Sequence, residues 1–257
     1  MSGVYQHFRP EEKEFIDQVL DWRQSVEDFY SPKLTDFLDP RQQLIVSSLI
    51  GENNDVRCSF FGGSEESERK RAIIYPEYYE PSLEDFQVGL YEIDYPRKFI
   101  QLDHRTVLGT IMSLGLKRDK FGDIIVSGDR IQLLLAEEIE DFILTQLTQM
   151  GRANVSIQKK AEKPIESDEK WHESEKTASS LRLDTIVATA YNLSRQKAQT
   201  LIQQGLARVN WEKIEQPSYE CMAGDVLSVR GFGRSKMIAI HGKTKKDKWR
   251  ITIGILK

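Results

Sequence analysis

The chain has 257 residues, 39% of them hydrophobic and 30% charged, with a formal net charge of −4. No apolar run approaches the roughly 18 residues that a membrane-spanning helix needs, and the N-terminus turns acidic without the apolar stretch of a secretory signal. No bilayer-spanning helix and no secretory signal are therefore expected, and a cytoplasmic address is expected. Cys58 and Cys221 stand far apart with no paired Cys or His neighbour, which supports neither a disulfide framework nor a zinc site. Both are expected to be small buried residues, and no metal or cofactor is expected.

The chain is long enough for one to three small domains. Its N-terminal segment carries Phe15, Val19, Trp22, Val26 and Phe29 at spacings of three and four, which predicts an amphipathic helix over 11–29. Asp39-Pro40 reads as an N-cap with proline at the first helical position, opening a helix to about Ile50. A strand at 56–61, a Gly62-Gly63 turn and a short strand at 73–75 complete an N-terminal α+β domain over 1–80.

Residues 81–160 read as β-α-β-β-α-β. The expected strands are 90–95, 123–127, 130–135 and 153–158, the expected helices 104–114 and 137–150, and Gly128-Asp129 is the central hairpin turn. That order is a ferredoxin-like plait, used by many RNA-recognition domains. Lys117, Arg118 and Lys120 form a compact basic loop, a possible second RNA contact. The stretch 161–180 has six acids, three lysines and few apolar residues, a linker composition.

Charge is segregated beyond it. Residues 181–257 hold 14 Lys and Arg against 6 Asp and Glu, whereas residues 1–180 hold 22 against 34. A basic block joined to an acidic body is the footprint of a nucleic-acid-binding module attached to something else. Leu183, Ile186, Val187 and Ala190 predict one short helix. Ser194 caps a second, over 195–204, whose buried stripe is Ala198, Leu201 and Ile202 and whose left-handed stop is Gly205. Arg195 and Lys197 occupy the first turn of that second helix, where the macrodipole favours acids, and a phosphate bound over the helix N-terminus would resolve the conflict. Arg195, Gln199 and Gln203 recur every four residues on the polar face. Short strands follow, with Lys243, Lys245, Lys246 and Lys248 around the last turn.

Arg182-Leu183-Asp184, Ser194-Arg195, Ala198, Leu201-Ile202, Gly205, Val209-Asn210, Gly224-Asp225, Val229-Arg230-Gly231 and Gly233-Arg234, in that order, resemble the S-four RNA-binding domain. The resemblance implies two helices and adjoining strands that grip structured RNA. It places Arg182, Ser194, Arg195, Lys197, Gln203, Arg208, Asn210, Arg230 and Arg234 toward the RNA. Upstream, residues 34–43, Phe61-Gly62-Gly63, residues 68–72, His104-Arg105, Leu108-Gly109 and residues 114–124 resemble the YlmH family of bacterial proteins. That resemblance implies a role in ribosome-associated quality control, holding a peptidyl-tRNA on a free large ribosomal subunit, and a link to cell division.

The expected fold class is therefore α+β in three small domains: 1–80, the plait at 81–160 and, past a linker at 161–180, the S-four domain at 181–257. The expected function is non-catalytic binding of rRNA or tRNA, with no membrane partner. Two other functions compete with this one. An RNA-modifying enzyme, of pseudouridine synthase or methyltransferase type, would need a catalytic aspartate setting or a glycine-rich cofactor turn outside the S-four module, and neither is present. A protein-interaction adaptor for division machinery would use the acidic body.

Overall fold

The computed structural model describes residue 8 and residues 12–51, 55–167 and 170–256. Contacts divide the chain into two units, Met1–Asp168 and Glu169–Lys257.

The first unit opens with α1 (Lys13–Phe29), which buries Ile16, Val19 and Val26 on one face. The strand β1 (Lys33–Leu38), helix α2 (Pro40–Ile50) and strands β2 (Val56–Phe61) and β3 (Lys70–Pro76) follow. The strands pair antiparallel in the order β1-β3-β2. The expected start of α2 is present as a full capping box: the Asp39 carboxylate accepts from the Gln42 N–H, and the Gln42 side chain accepts from the Asp39 N–H, each at 2.9 Å. The strand β1 was not expected, and β3 begins three residues before the expected strand. Both differences come from polar residues that the fold buries: the Thr35 hydroxyl accepts from the Ala72 N–H at 2.9 Å, and Arg71 is 2% exposed.

The second half of this unit holds β4 (Val88–Asp94), α3 (His104–Ser113), β5 (Phe121–Ser127), β6 (Arg130–Ala136), α4 (Glu140–Gln146), the two-residue strands β7 (Gln149–Met150) and β8 (Ala153–Asn154), and β9 (Ser156–Lys160). The main sheet runs β5-β6-β4-β9 with every pair antiparallel, which is the expected ferredoxin-like order. The helix expected over 137–150 is shorter. Leu147 leaves helical geometry, and the chain turns through Gly151, at φ 56°, so that Met150 and Ala153 bury their side chains in a small hairpin.

One face of the plait sheet packs Tyr91, Ile93, Ile131 and Leu133 into the core formed with Val107, Ile111 and Ile143. In RNA-recognition plaits the opposite face is the one that commonly meets bases. Here that face carries Leu90, Glu92, Gln132 and Leu134, all buried. The N-terminal domain covers part of it: a side chain at Gly63 would collide with Leu134, and one at Gly122 would meet Phe37 at 2.8 Å. The Ile165 N–H donates to Gln132 Oε1 at 2.8 Å, bringing residues just after the plait over the same face. Glu92 takes Arg130 at 2.6 and 3.0 Å, Arg97 at 3.3 Å and Gln132 at 3.3 Å. The hydrogen bond from Arg130 leads the effects that hold its carboxyl down at about 2, against the opposing effect of burial.

The second unit contains β10 (Trp171–Ala178), α5 (Leu183–Tyr191), α6 (Arg195–Gln203), β11 (Ala207–Val209), β12 (Glu212–Lys213), β13 (Val226–Val229), β14 (Gly233–Lys243) and β15 (Trp249–Leu256). Its six strands form one antiparallel sheet in the order β10-β15-β14-β13-β11-β12. Ile186, Val187 and Ala190 of α5, and Ala198, Leu201 and Ile202 of α6, meet Ala207, Val209, Leu227, Val229, Met237, Ile251 and Ile253 of the sheet in one core.

The linker expected over 161–180 is corrected here. Residues 171–178 are the edge strand β10, paired with β15 from Trp171↔Leu256 to Ala178↔Trp249. Charged, mostly exposed residues are what protects a sheet edge from pairing with another chain, so a charged edge strand and a linker share a composition. The cysteines also differ from each other: Cys221 is buried and Cys58 only partly so, and burial pushes their thiols up to about 12 and about 11. Among the described residues no helix is long and apolar enough to cross a membrane.

Candidate RNA interface

The N-termini of α5 and α6 meet around one carboxylate. Asp184 lies in the first turn of α5 and is 0% exposed. Arg182 donates to both of its oxygens at 3.2 Å, Arg195 Nε to Oδ2 at 3.1 Å, Gln199 Nε2 to Oδ2 at 2.8 Å, and the Thr185 hydroxyl to Oδ1 at 3.2 Å. Burial by itself would push this carboxyl up, but the hydrogen bonds from Arg182, Gln199 and Arg195 outweigh it and hold it well below the usual carboxylate range.

This geometry answers part of the question raised by cations at a helix N-terminus. Arg195 is tied to a buried acid, and only its unused N–H groups face outward. A planar guanidinium pinned along one edge presents its other donors in a fixed direction, which suits phosphate recognition. The Ser194 hydroxyl accepts from the Lys197 backbone N–H at 3.2 Å, as an N-cap. The Lys197 and Gln203 side chains are exposed.

A second group lies on the sheet. Register sets Arg208 opposite Ser228, and Ser228 opposite Arg234, across β11, β13 and β14, with Lys213 of β12 on the other side of Arg208. Residues directly opposite in a sheet share a face, and alternation turns this row away from the buried Ala207, Val209, Leu227 and Val229. Arg230 follows β13 and is exposed. Asn210 belongs to neither group. Its amide donates to Asp225 Oδ1 at 2.8 Å and accepts from the Val226 N–H at 2.9 Å, so its side chain holds the β11–β12 turn against the start of β13.

The basic loop of the plait is divided in the same manner. Lys117 is exposed, but Arg118 donates to the carbonyls of Phe121 at 2.6 Å and Gly122 at 3.1 Å. Burial, followed by the neighbouring Arg69, pushes Arg118 down to about 10. Lys120 pairs with Asp36 of β1 at 2.6 Å and with Glu138. The Asp123 carboxylate accepts from the backbone N–H groups of Glu68 at 2.7 Å and Arg69 at 3.1 Å. Arg69 donates to Phe121 O and Phe37 O, and Arg71 to Thr35 O, Gln87 O and Glu138. The charged runs 68–71 and 117–123 thus join the N-terminal domain to the plait.

Sequence reasoning missed Asp184 as the organiser of the cluster. Its signal was an acid placed among the buried positions Leu183, Ile186 and Val187, with Arg195 and Gln199 one turn apart on the next helix. Among the described residues no three His, Cys, Asp or Glu side chains come together as metal ligands would.

Three family descriptions match the chain: "YlmH, N-terminal" over residues 11–79, "Putative RNA-binding domain in YlmH" over 81–163, and "S4 domain" over 181–227. The chain is 49% identical over 261 residues, covering 98% of both sequences, to the Bacillus subtilis (strain 168) protein named "Ribosome-associated protein quality control protein P2". It also resembles the solved structure titled "Cell division protein ylmH from Streptococcus pneumoniae", at 36% identity and a TM-score of 0.53, over 62% of this chain and 96% of that one. With an S4 domain that follows both YlmH-type domains, and a relative this similar from end to end, the chain belongs to the YlmH family.

Proposed function

We propose that this protein is a non-catalytic RNA-binding factor of ribosome-associated quality control. In this reading its C-terminal unit grips structured rRNA or tRNA on the large ribosomal subunit and so stabilises a peptidyl-tRNA there. The observation that carries the proposal is the Asp184 cluster. One buried acid fixes Arg182, Arg195 and Gln199 in place beside the exposed Lys197 at a capped helix N-terminus. Fixed guanidinium forks and free N–H groups at a helix start are a phosphate-binding arrangement. The family membership and the name of the Bacillus subtilis relative support the ribosomal setting. Arg182, Ser194, Arg195, Lys197, Gln199 and Gln203 form the helix-side contact. Arg208, Arg230 and Arg234 form the sheet-side contact, and Lys117 is the one member of the plait loop offered to RNA.

Lys197→Ala combined with Arg230→Ala separates this proposal from a general charge effect, because both side chains are exposed and neither holds the fold. Measured against a tRNA over a salt series, the variant should bind more weakly at low salt. Its slope of log affinity against log salt should be shallower by roughly 0.7–0.9 for each lost phosphate contact. An unchanged slope would remove these two residues from the interface.

A further inference from the structure

The turn joining β11 to β12 is strained in a way that the core does not explain. Val209 pairs with Glu212 and Arg208 with Lys213, leaving Asn210 and Trp211 as a two-residue loop. Both have positive φ, 49° and 66°, the geometry of a type I′ hairpin, for which Asn-Gly is the favoured pair because the second residue has no side chain to strain. Asn tolerates the left-handed region. A bulky indole there is an outlier, and such strain persists only where the surroundings over-determine it.

The surroundings do so here. Asn210 is tied at both ends of its amide to Asp225 and Val226, and its own N–H donates to Val226 O at 2.8 Å. Arg208 Nη1 donates to the Trp211 carbonyl at 2.8 Å. Tyr191, Tyr219 and Trp249 pack against the core of this unit, but among the described residues Trp211 is not one of the side chains doing so. Trp211 is half-buried at the hairpin tip, close to Lys213 and Arg208, from which the cationic row runs across β13 to Arg234. A tryptophan kept out of the core, at a backbone position suited to glycine and with Arg208 and Lys213 beside it, has the make-up of a base-stacking platform flanked by phosphate contacts.

We propose that Trp211 stacks on an unpaired base of the bound RNA and gives the C-terminal unit its preference for looped or bulged RNA over uniform duplex. The assignment rests on the RNA-binding reading above and adds to it the class of RNA feature recognised. It also accounts for Asn210 and Arg208: their side chains hold the turn that presents the indole.

The test compares full-length wild type, Trp211→Gly and Trp211→Phe for thermal stability and for binding to two synthetic RNAs, a stem with an unpaired adenine loop and a blunt duplex of equal length. Glycine relieves the strain, so Trp211→Gly should melt at a higher temperature than wild type while binding the looped RNA roughly 5- to 100-fold more weakly. Its duplex affinity and its salt slope should be unchanged, because no phosphate contact is lost. Trp211→Phe should retain most of the preference for the loop. Equal binding of the looped RNA by wild type and Trp211→Gly overturns the assignment while leaving RNA binding in place, as does an equal loss in Trp211→Phe. Failure of the wild type to bind either RNA overturns the RNA-binding reading and this inference with it.

Discussion

Asp184→Ala is expected to destabilise the C-terminal unit by about 1–3 kcal/mol, the usual cost of leaving hydrogen-bond donors without their buried acceptor, and to reduce RNA affinity in molecules that remain folded. Truncation leaves Arg182 and Arg195 without the acid that binds them both. Asp184→Asn keeps the shape but removes the charge. It should cost less stability while still loosening the guanidinium pair, so its RNA affinity should fall further than its melting temperature suggests. The pH dependence has a definite sign. The folded carboxyl lies well below its ordinary value of 3.8, so its contribution is fully present above that value and is lost as pH falls toward the lower folded one. Acid unfolding of the C-terminal unit, followed by circular dichroism, should begin below about pH 4, and Asp184→Asn should flatten that limb. A variant that melts and titrates like wild type would remove Asp184 from its organising role.

The second large effect concerns the joint between the N-terminal domain and the plait. Asp123→Ala takes away the acceptor for two backbone N–H groups and the carboxylate that most favours the charged form of Arg118. Orphaned donors of this kind cost about 1–3 kcal/mol each. Burial pushes the Asp123 carboxyl up, so losing the charge offsets part of the cost, and a net loss of about 2–3 kcal/mol is expected. Calorimetry should show wild-type Met1–Asp168 unfolding in one transition within the full chain. In Asp123→Ala that transition should broaden or split as the two domains uncouple. A single unshifted transition would show that the joint contributes nothing to cooperativity.

The contrast between these two sites and the helices around them shows what the sequence made legible. Local chemistry was readable because its cause lies within a few residues. Asp39 and Gln42 sit three apart and cap each other, Ser194 caps the helix it precedes, and Gly128 turns the hairpin between β5 and β6. The plait was readable because strand order follows from the alternation of patterns along the chain. What depended on distant partners was not. Lys120 looks like part of an open basic loop until Asp36 and Glu138 are brought beside it across 84 and 18 residues of sequence. Asn210 resembles an RNA contact in its motif, yet its amide is committed to residues 15 and 16 positions away.

Two effects on the sheets were hidden for a different reason. A charged edge strand such as β10 carries the same residues as a solvated linker, and only its pairing with β15 tells them apart. The outer face of the plait carries Glu92 and Gln132, which in sequence look solvent-facing. In the fold both are buried, with Arg130, Arg97 and the Ile165 N–H as their partners. An RNA contact from the plait therefore has to come from its edges and loops, such as the exposed Lys117, rather than from the broad sheet face that many plaits of this order use.

Co-sedimentation of the full-length protein with purified ribosomal subunits over a salt series, with and without nuclease treatment, tests the central claim most directly. Binding through the Asp184 cluster and the sheet arginines predicts association with the large subunit that weakens steeply as salt rises, disappears after nuclease, and is reduced in Asp184→Asn at every salt concentration. Association that survives nuclease, is indifferent to salt and is equal in Asp184→Asn would contradict it, and would transfer the binding to a protein contact of the acidic body.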